Sequence, residues 1–300
     1  MTAPAMEDTD LTVPRRHRAC EWDAMDADQF LLEAAARHRD PRPDPVAPLR
    51  TGIDLGTATI VLTVVDALDR AVYWDHTREE AVRDGVVVDF HAAASAVGLL
   101  RERAEAALGV RLGAAATAYP PGVGVAESRA CRFVLERAGL DCAGLLDEVA
   151  AAQALLQVRD GAIADVGGGS TGVGVYGGGG LVSLGDLPGG GHHLNLILAG
   201  ALRLGLAQAE EAKRAGDAGH LAILRPGIER VAHNIGRLMP ERPAGPVHLV
   251  GGALMVPGAG PVVAAYLGHD VVEHPHALLV TPFGIALSLA RDGSDGVSHG

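Results

Sequence analysis

Aromatic residues are scarce in this 300-residue sequence: two Trp, four Tyr and four Phe, 3% of the chain. So few rings leave little surface on which nucleic-acid bases stack. Positive charge is short as well, with 25 basic residues against 37 acidic ones and a net charge of −12. That balance argues against sequence-independent nucleic-acid binding and against a polybasic membrane binder. Cysteine is limited to Cys20, Cys131 and Cys142, an odd number with no Cys-x-x-Cys pair. The pattern excludes a disulfide framework and a structural zinc site and points to a reducing compartment. No run of eighteen apolar residues occurs; the most apolar segment, 194–207, is broken by Asn195 and Arg203. The first residues carry Glu7, Asp8 and Asp10 and no apolar signal core. The expectation is a cytoplasmic protein with no membrane partner. Lysine is the extreme case: Lys213 is the sole lysine, and the remaining basic residues are arginines.

Glycine is what the chain has in excess, 40 residues, of which fifteen fall between Gly161 and Gly200. Average usage of about 7% would give half as many. Residues 1–48 differ from the rest in being rich in Pro, Arg and Asp, with Pro-Arg-Pro-Asp-Pro at 41–45 as an extended linker. Within this arm the pattern predicts a helix over Asp26–His38 with Phe30, Leu31 and Ala34 on one side. It reads either as a docking peptide that folds on a partner or as a helix packed on its own domain, or as disorder.

From Arg50 the signals become regular. Strands are expected at 52–55, 60–66 and 71–74, a turn and short strand at 83–89, and a strand at 114–119 that Pro120-Pro121-Gly122 stops. Helices are expected at 92–108, 127–138 and 149–157. The opening pattern then returns. Ile53-Asp54-Leu55-Gly56-Thr57 leads into a β-rich run, and so does Asp165-Val166-Gly167-Gly168-Gly169-Ser170-Thr171. This duplicated strand–turn–strand unit, its two aspartates 111 residues apart, is the most informative feature of the organisation. Gly177–Gly180 reads as a tight strand connection.

The repeat has a chemical meaning. A strand that ends in Asp and turns through Gly-Thr exposes backbone N–H groups that suit phosphate oxygens. The carboxylate beside them is repelled by phosphate but suits a hydrated Mg²⁺. Two such loops face to face would clamp a polyphosphate.

These residues resemble the two phosphate motifs of the actin, sugar-kinase and DnaK-type chaperone ATPase superfamily. Val247-His248-Leu249-Val250-Gly251-Gly252-Ala253, followed by Pro257, is similar to its adenosine motif. Within it the chain resembles the EutJ family of ethanolamine-utilisation proteins. The segments that carry this are 83–90, Tyr119-Pro120-Pro121-Gly122, Leu145-Leu146-Asp147-Glu148, Gly190-Gly191-His192-His193-Leu194 and Thr281-Pro282-Phe283-Gly284-Ile285-Ala286. The resemblance implies an α/β, two-lobed actin-like ATPase (ribonuclease H-like) fold with reduced outer subdomains. Residues 1–48 would be an N-terminal extension and linker, 49–160 lobe I and 161–280 lobe II. Residues 281–300 would supply a helix, 282–291, returning to lobe I, and a flexible tail.

By the same resemblance the cofactors are ATP and Mg²⁺. Asp54 and Asp165 would serve the metal, Gly56 and Thr57 the β-phosphate, and Gly167, Gly168, Gly169, Ser170 and Thr171 the β- and γ-phosphates. Asp165 and Glu148 would orient the attacking water, although Glu148 alone also reads as a carboxylate favoured at a helix N-terminus. Gly251 and Gly252 would approach the adenosine. Glu210 and Lys213, three apart on a helix, read either as a surface ion pair or as the pair that meets ribose and adenine. His192-His193 carries no metal reading, because no third ligand is apparent. Two departures weaken catalysis: lobe I has no lysine, and Val149-Ala150 stands where the superfamily has Pro-Thr. The expected function is an ATP-binding, chaperone-like accessory protein of a bacterial microcompartment, with slow or absent hydrolysis. Its partners would be microcompartment enzymes or shell proteins, with a homo-oligomer as a further option. An ATP-dependent actin-like scaffold is the alternative, and a small-molecule kinase the third.

Overall fold

A computed structural model describes residues 27–79, 81–83 and 86–290. Most of the expected N-terminal arm (1–26), the centre of the expected turn (84–85) and the expected tail (291–300), with the last residue of the 282–291 helix, lie outside the described residues.

The chain begins with α1 (Ala27–Ala35), which buries Phe30, Leu31 and Ala34. Of the readings open for it, the one that holds is the helix packed on its own molecule. It stops before His38 because His38 pairs in parallel with Trp74. A meander follows, β1 (Arg50–Leu55), β2 (Ile60–Val65) and β3 (Ala71–Thr77), then the two-residue hairpin strands β4 (Val82–Arg83) and β5 (Val86–Val87). Next come α2 (Phe90–Leu108), β6 (Ala114–Tyr119), α3 (Val125–Arg137), β7 (Asp141–Asp147) and α4 (Glu148–Leu156). The second half repeats the order. Strands β8 (Gly161–Val166), β9 (Ser170–Gly177) and β10 (Gly180–Pro188) precede helices α5 (Gly191–Leu202), α6 (Leu206–Arg214) and α7 (Leu221–Leu238). Then come β11 (Val247–Val250), α8 (Ala259–Leu267), β12 (Val271–Glu273) and α9 (Val280–Leu287).

The duplication is topological. One sheet has the order β3-β2-β1-β6-β7 and the other β10-β9-β8-β11-β12. In each, the first three strands are antiparallel and the last two run parallel to the first. Local chemistry sets the elements. Ile-Val-Leu-Thr-Val-Val of β2 is β-branched and fully buried. Asp89 caps α2 through the Ala92 N–H at 2.9 Å, and Gly109 closes it with φ +70°. Asp147 caps α4 through the Ala150 N–H at 2.8 Å. Gly178 and Gly179, both with positive φ, make the tight connection between β9 and β10.

Three layers of core position everything else. Helices α2 and α3 cover the outer face of the first sheet with Leu100, Val134 and Leu135 against Ile53 and Leu62. Helices α5 to α8 cover the second sheet. Between the sheets lie α4 and α9, whose Val149, Leu155, Val280 and Phe283 pack with Val61 of β2, Ile163 of β8 and Val250 of β11. The two helices approach so closely that a Cβ on Gly284 would lie 1.9 Å from the Ala151 carbonyl oxygen.

Candidate functional site

The two glycine turns meet. Gly56 and Thr57 link β1 to β2, and Gly167–Gly169 link β8 to β9. Gly168 sits so near the first turn that a Cβ there would be 3.3 Å from the Cβ atoms of both Thr57 and Ala58. The second loop is braced by α5. The Gly191 N–H donates to Gly167 O (2.9 Å), His192 N–H to Gly168 O (2.8 Å) and Gly189 N–H to Gly169 O (2.8 Å). Among the described residues no hydrogen bond engages the N–H of Gly168 or of Gly169. Ser170 and Thr171 are buried, and the Thr171 hydroxyl donates to Gly189 O at 2.6 Å. That hydroxyl braces the loop in this arrangement. His192 and His193 occupy the first turn of α5.

Below the loops the carboxylates gather. Burial, with the charge of Asp165, lifts the Asp54 carboxyl to about 7. Burial lifts Asp165 to about 6, against the pull of the Thr281 hydroxyl, which donates to its Oδ2 at 2.5 Å. Glu148, first residue of α4, is raised well above the usual carboxylate range by burial, then by Asp165, Asp54, Asp186 and Asp147 in falling order. Among the described residues no cation offsets any of the three. Asp186 comes from β10. It pairs across the sheet with Gly172, which pairs with Asp165, so Asp165 and Asp186 flank a glycine in one row. Gly251 completes the floor: its φ is +82°, and a Cβ would stand 2.4 Å from Val166 O and 2.7 Å from Asp165 Oδ1. Only glycine combines that backbone with that approach. Gly252 follows it, with a Cβ position 3.6 Å from Leu278.

Glu210 and Lys213 lie on α6, beside the start of α5. Lys213 is 6% exposed, its Nζ 2.8 Å from Glu210 Oε2 and 3.4 Å from Gly191 O. Glu210 also accepts from Asn195 Nδ2 at 2.6 Å and Arg214 Nε at 2.5 Å. Burial alone would raise the Glu210 carboxyl; Lys213, Arg214 and Asn195 outweigh it and bring it down to about 2. Burial lowers the Lys213 ammonium, which Glu210 partly restores. The pair is thus a buried, fourfold-connected group rather than a solvated surface pair. One residue further, Glu211 reaches across to Arg78, beyond β3, at 3.7 Å.

The structure therefore brings Asp54, Gly56, Thr57, Glu148, Asp165, Gly167, Gly168, Gly169 and Gly251 to one place, with Glu210 and Lys213 behind the Gly189–Gly191 turn. Asp186, Thr281 and Arg78 were missed from sequence. Asp186 matters through cross-strand pairing, for which the chain carries no local signal, and Thr281 opens the segment expected as a returning helix without being read as a site residue. The donor set fits a nucleotide with a hard cation: carboxylate oxygens suit hydrated Mg²⁺, and free loop N–H groups suit phosphate oxygens. The loops must part to admit a triphosphate between them. Among the described residues, His38, Asp75 and His76 are the one group of three close metal-ligand atoms, but they lie at the β3 edge and Asp75 is held by Arg39 at 2.7 Å and Arg103 at 3.5 Å.

No protein-family model matches the chain. It is similar to ethanolamine utilization protein EutJ of Escherichia coli (strain K12), 34% identical over 252 residues, 84% of this chain and 89% of the relative. The Salmonella typhimurium (strain LT2) EutJ is 35% identical over 242 residues, 80% of this chain and 86% of the relative. Among solved structures, EutJ from Carboxydothermus hydrogenoformans superposes with a TM-score of 0.82 at 36% identity, covering 88% of this chain and 99% of that one. MreB5 of Spiroplasma citri bound to ADP has a TM-score of 0.66 at 16% identity, covering 80% and 95%. At that identity the likeness is one of fold.

Proposed function

The chain belongs to the EutJ family of ethanolamine-utilisation proteins and has the actin-like ATPase fold, and from that premise we propose that it binds ATP with Mg²⁺ between two lobes, 49–160 and 161–280. The observation that carries this reading is the cluster of Asp54, Glu148 and Asp165, raised by burial and uncompensated by any cation among the described residues, beneath paired glycine turns. An MreB5 crystallised with ADP and with AMPPNP supports it by analogy of fold. When bound, Mg²⁺ supplies charge neutralisation for the phosphates. Asp54 would hold it, with Asp165 nearby. The Gly168 and Gly169 N–H groups receive phosphate oxygens, and Gly56 and Thr57 line the facing turn. Glu148 and Asp165 orient water at the cluster. Gly251 and Gly252 lie against the adenosine, with Glu210 and Lys213 near ribose and adenine. Nucleotide state sets the angle between the lobes, and a microcompartment enzyme or shell protein reads that angle. The protein is in this reading a nucleotide-gated, chaperone-like accessory factor of the ethanolamine-utilisation compartment.

Saturating ATP–Mg²⁺ should raise the melting temperature of the wild-type protein. Asp54→Ala removes the metal-holding carboxylate and Gly168→Val fills the loop contact, so each should abolish the shift. A wild-type melting temperature indifferent to ATP–Mg²⁺ overturns the reading.

A further inference from the structure

Helix α1 is joined to both halves of the molecule. Its apolar face is buried in the layer between the sheets, with Phe30 edge-on to Phe283 of α9 and ring centroids 5.3 Å apart. Toward the second sheet, Asp28 Oδ1 lies 2.7 Å from His274 Nδ1, just past β12, and His274 Nε2 lies 3.0 Å from His248 Nδ1 on β11. This carboxylate and two imidazoles run from the first turn of α1 into the sheet. Burial, then the neighbouring His274, hold the His248 ring down to about 4, while Asp28 pulls the other way. Toward the first sheet, the segment after α1 is stitched along the edge of β3. Arg39 N–H donates to Trp74 O (3.0 Å), Trp74 N–H to Arg37 O (3.2 Å) and Arg42 N–H to Val72 O (2.9 Å). Arg39 Nε adds a 2.7 Å bond to the buried Asp75.

Two anchors on two sheets, separated by the α4–α9 layer, fit one angle between those sheets. It is the angle at which a Cβ on Gly168 would lie 3.3 Å from Thr57 and Ala58. Any rotation that parts the turns moves the β11–β12 anchor relative to the β3 anchor. The Asp28–His274 bond is a single polar contact, its carboxylate side chain 40% exposed and its imidazole 6% exposed; it gives up less on parting than the buried apolar face or three backbone bonds, and so is where the connection yields.

We propose that α1 is a strap holding the two lobes at the angle at which the glycine turns touch, so that entry of a nucleoside triphosphate is linked to release of the Asp28–His274–His248 anchor. The linkage rests on the nucleotide reading above; the strap itself does not. By reciprocity, a nucleotide that loosens the anchor binds better once the anchor is gone.

The test uses the full chain and Asp28→Ala, a half-exposed position whose loss leaves the apolar face of α1 intact. Without nucleotide, hydrogen–deuterium exchange at 56–59 and 167–169 should be faster in the variant than in wild type; equal exchange overturns the strap. With ATP–Mg²⁺, calorimetric titration should show Asp28→Ala binding about fivefold or more tightly than wild type, and exchange over 27–35 in wild type should rise. Unchanged affinity together with unchanged exchange in α1 overturns the linkage. Asp28→Asn keeps an acceptor for His274 and should stay near wild type; behaviour like Asp28→Ala overturns the assignment of the anchor to that hydrogen bond. Absence of any ATP binding by wild type overturns the nucleotide reading and with it the linkage, while the nucleotide-free exchange still decides the strap.

Discussion

A carboxyl group lifted by burial favours its neutral form in the folded chain, so the folded state holds protons that the unfolded state has released. Asp54 at about 7 and Asp165 at about 6 both stand above the ordinary 3.8, and Glu148 is raised with them. Their stabilising contribution is complete below the unfolded values and is lost as pH climbs through the folded ones, from about 4 to about 7. The ligand-free protein should accordingly melt lower at pH 8 than at pH 5.5 as far as this cluster is concerned. Asp54→Asn, which removes one of the charges, should raise the melting temperature at pH 8 and flatten the profile. A steeper fall with pH in the variant would contradict the assignment. The same protons must leave when a divalent cation enters, so ATP–Mg²⁺ binding at pH 6.5 should show a heat that changes with the ionisation enthalpy of the buffer.

At the scale of elements, the decisive contact is α4 against α9. Ala151 and Gly284 are small because the helices nearly touch: a Cβ on Gly284 would fall 1.9 Å from the Ala151 carbonyl oxygen. Gly284→Ala should cost about 3 kcal/mol or more, a fall in melting temperature of roughly 6 °C or more. Gly98, in the middle of α2, has nothing within 4 Å of its Cβ position. Gly98→Ala should therefore stabilise, by about 0.5–1 kcal/mol from helix propensity and reduced unfolded-chain freedom. Opposite signs for one substitution type at two helical glycines separate packing from propensity.

The same contrast explains what was legible beforehand. The meander and helix α2 follow from β-branched runs and an amphipathic face, and β6 over 114–119 is marked by the Pro120-Pro121-Gly122 stop behind it, so the chain announces them. Strand β7 begins Asp-Cys-Ala-Gly and has no such run; its pairing with β6 makes it a strand. Helices α7 and α8 and strand β12 carry no reading from sequence, although α7 has the strongly one-sided core of Leu224, Ile228, Val231 and Ile235. Asp66 and Asp69, in the connection between β2 and β3, are buried: Asp69 pairs with Arg50, and Asp66 accepts from the Leu68 and Arg70 N–H groups at 2.9 Å. At the candidate site, Asp54 and Asp165 were legible because each is followed by glycine within a repeat. Asp186 was not, since its place depends on a glycine fourteen residues earlier, across a strand pair.

For the molecule as a whole, the charge distribution bears on turnover. Phosphoryl transfer depends on positive charge placed where negative charge develops. Here three carboxylates meet beneath the turns and the sole lysine is buried in the second half, bonded to Glu210. The arginines nearest in sequence to the first turn serve the scaffold. Arg50 pairs with Asp69, and Arg70 with Asp66 at 2.7 Å. The protein should therefore bind ATP–Mg²⁺ yet release phosphate well below the roughly 1 s⁻¹ that marks the lower end of ordinary enzyme turnover. Phosphate release at saturating ATP–Mg²⁺, measured beside the titration, decides this. Turnover of several per second would mean that a cationic group moves into the site on closure, and one that already reaches from the first half to the second is Arg78, 3.7 Å from Glu211. Arg78→Ala separates the cases: slow release in both proteins fits a binder that signals by occupancy, whereas fast release lost only in the variant would make Arg78 the missing positive charge.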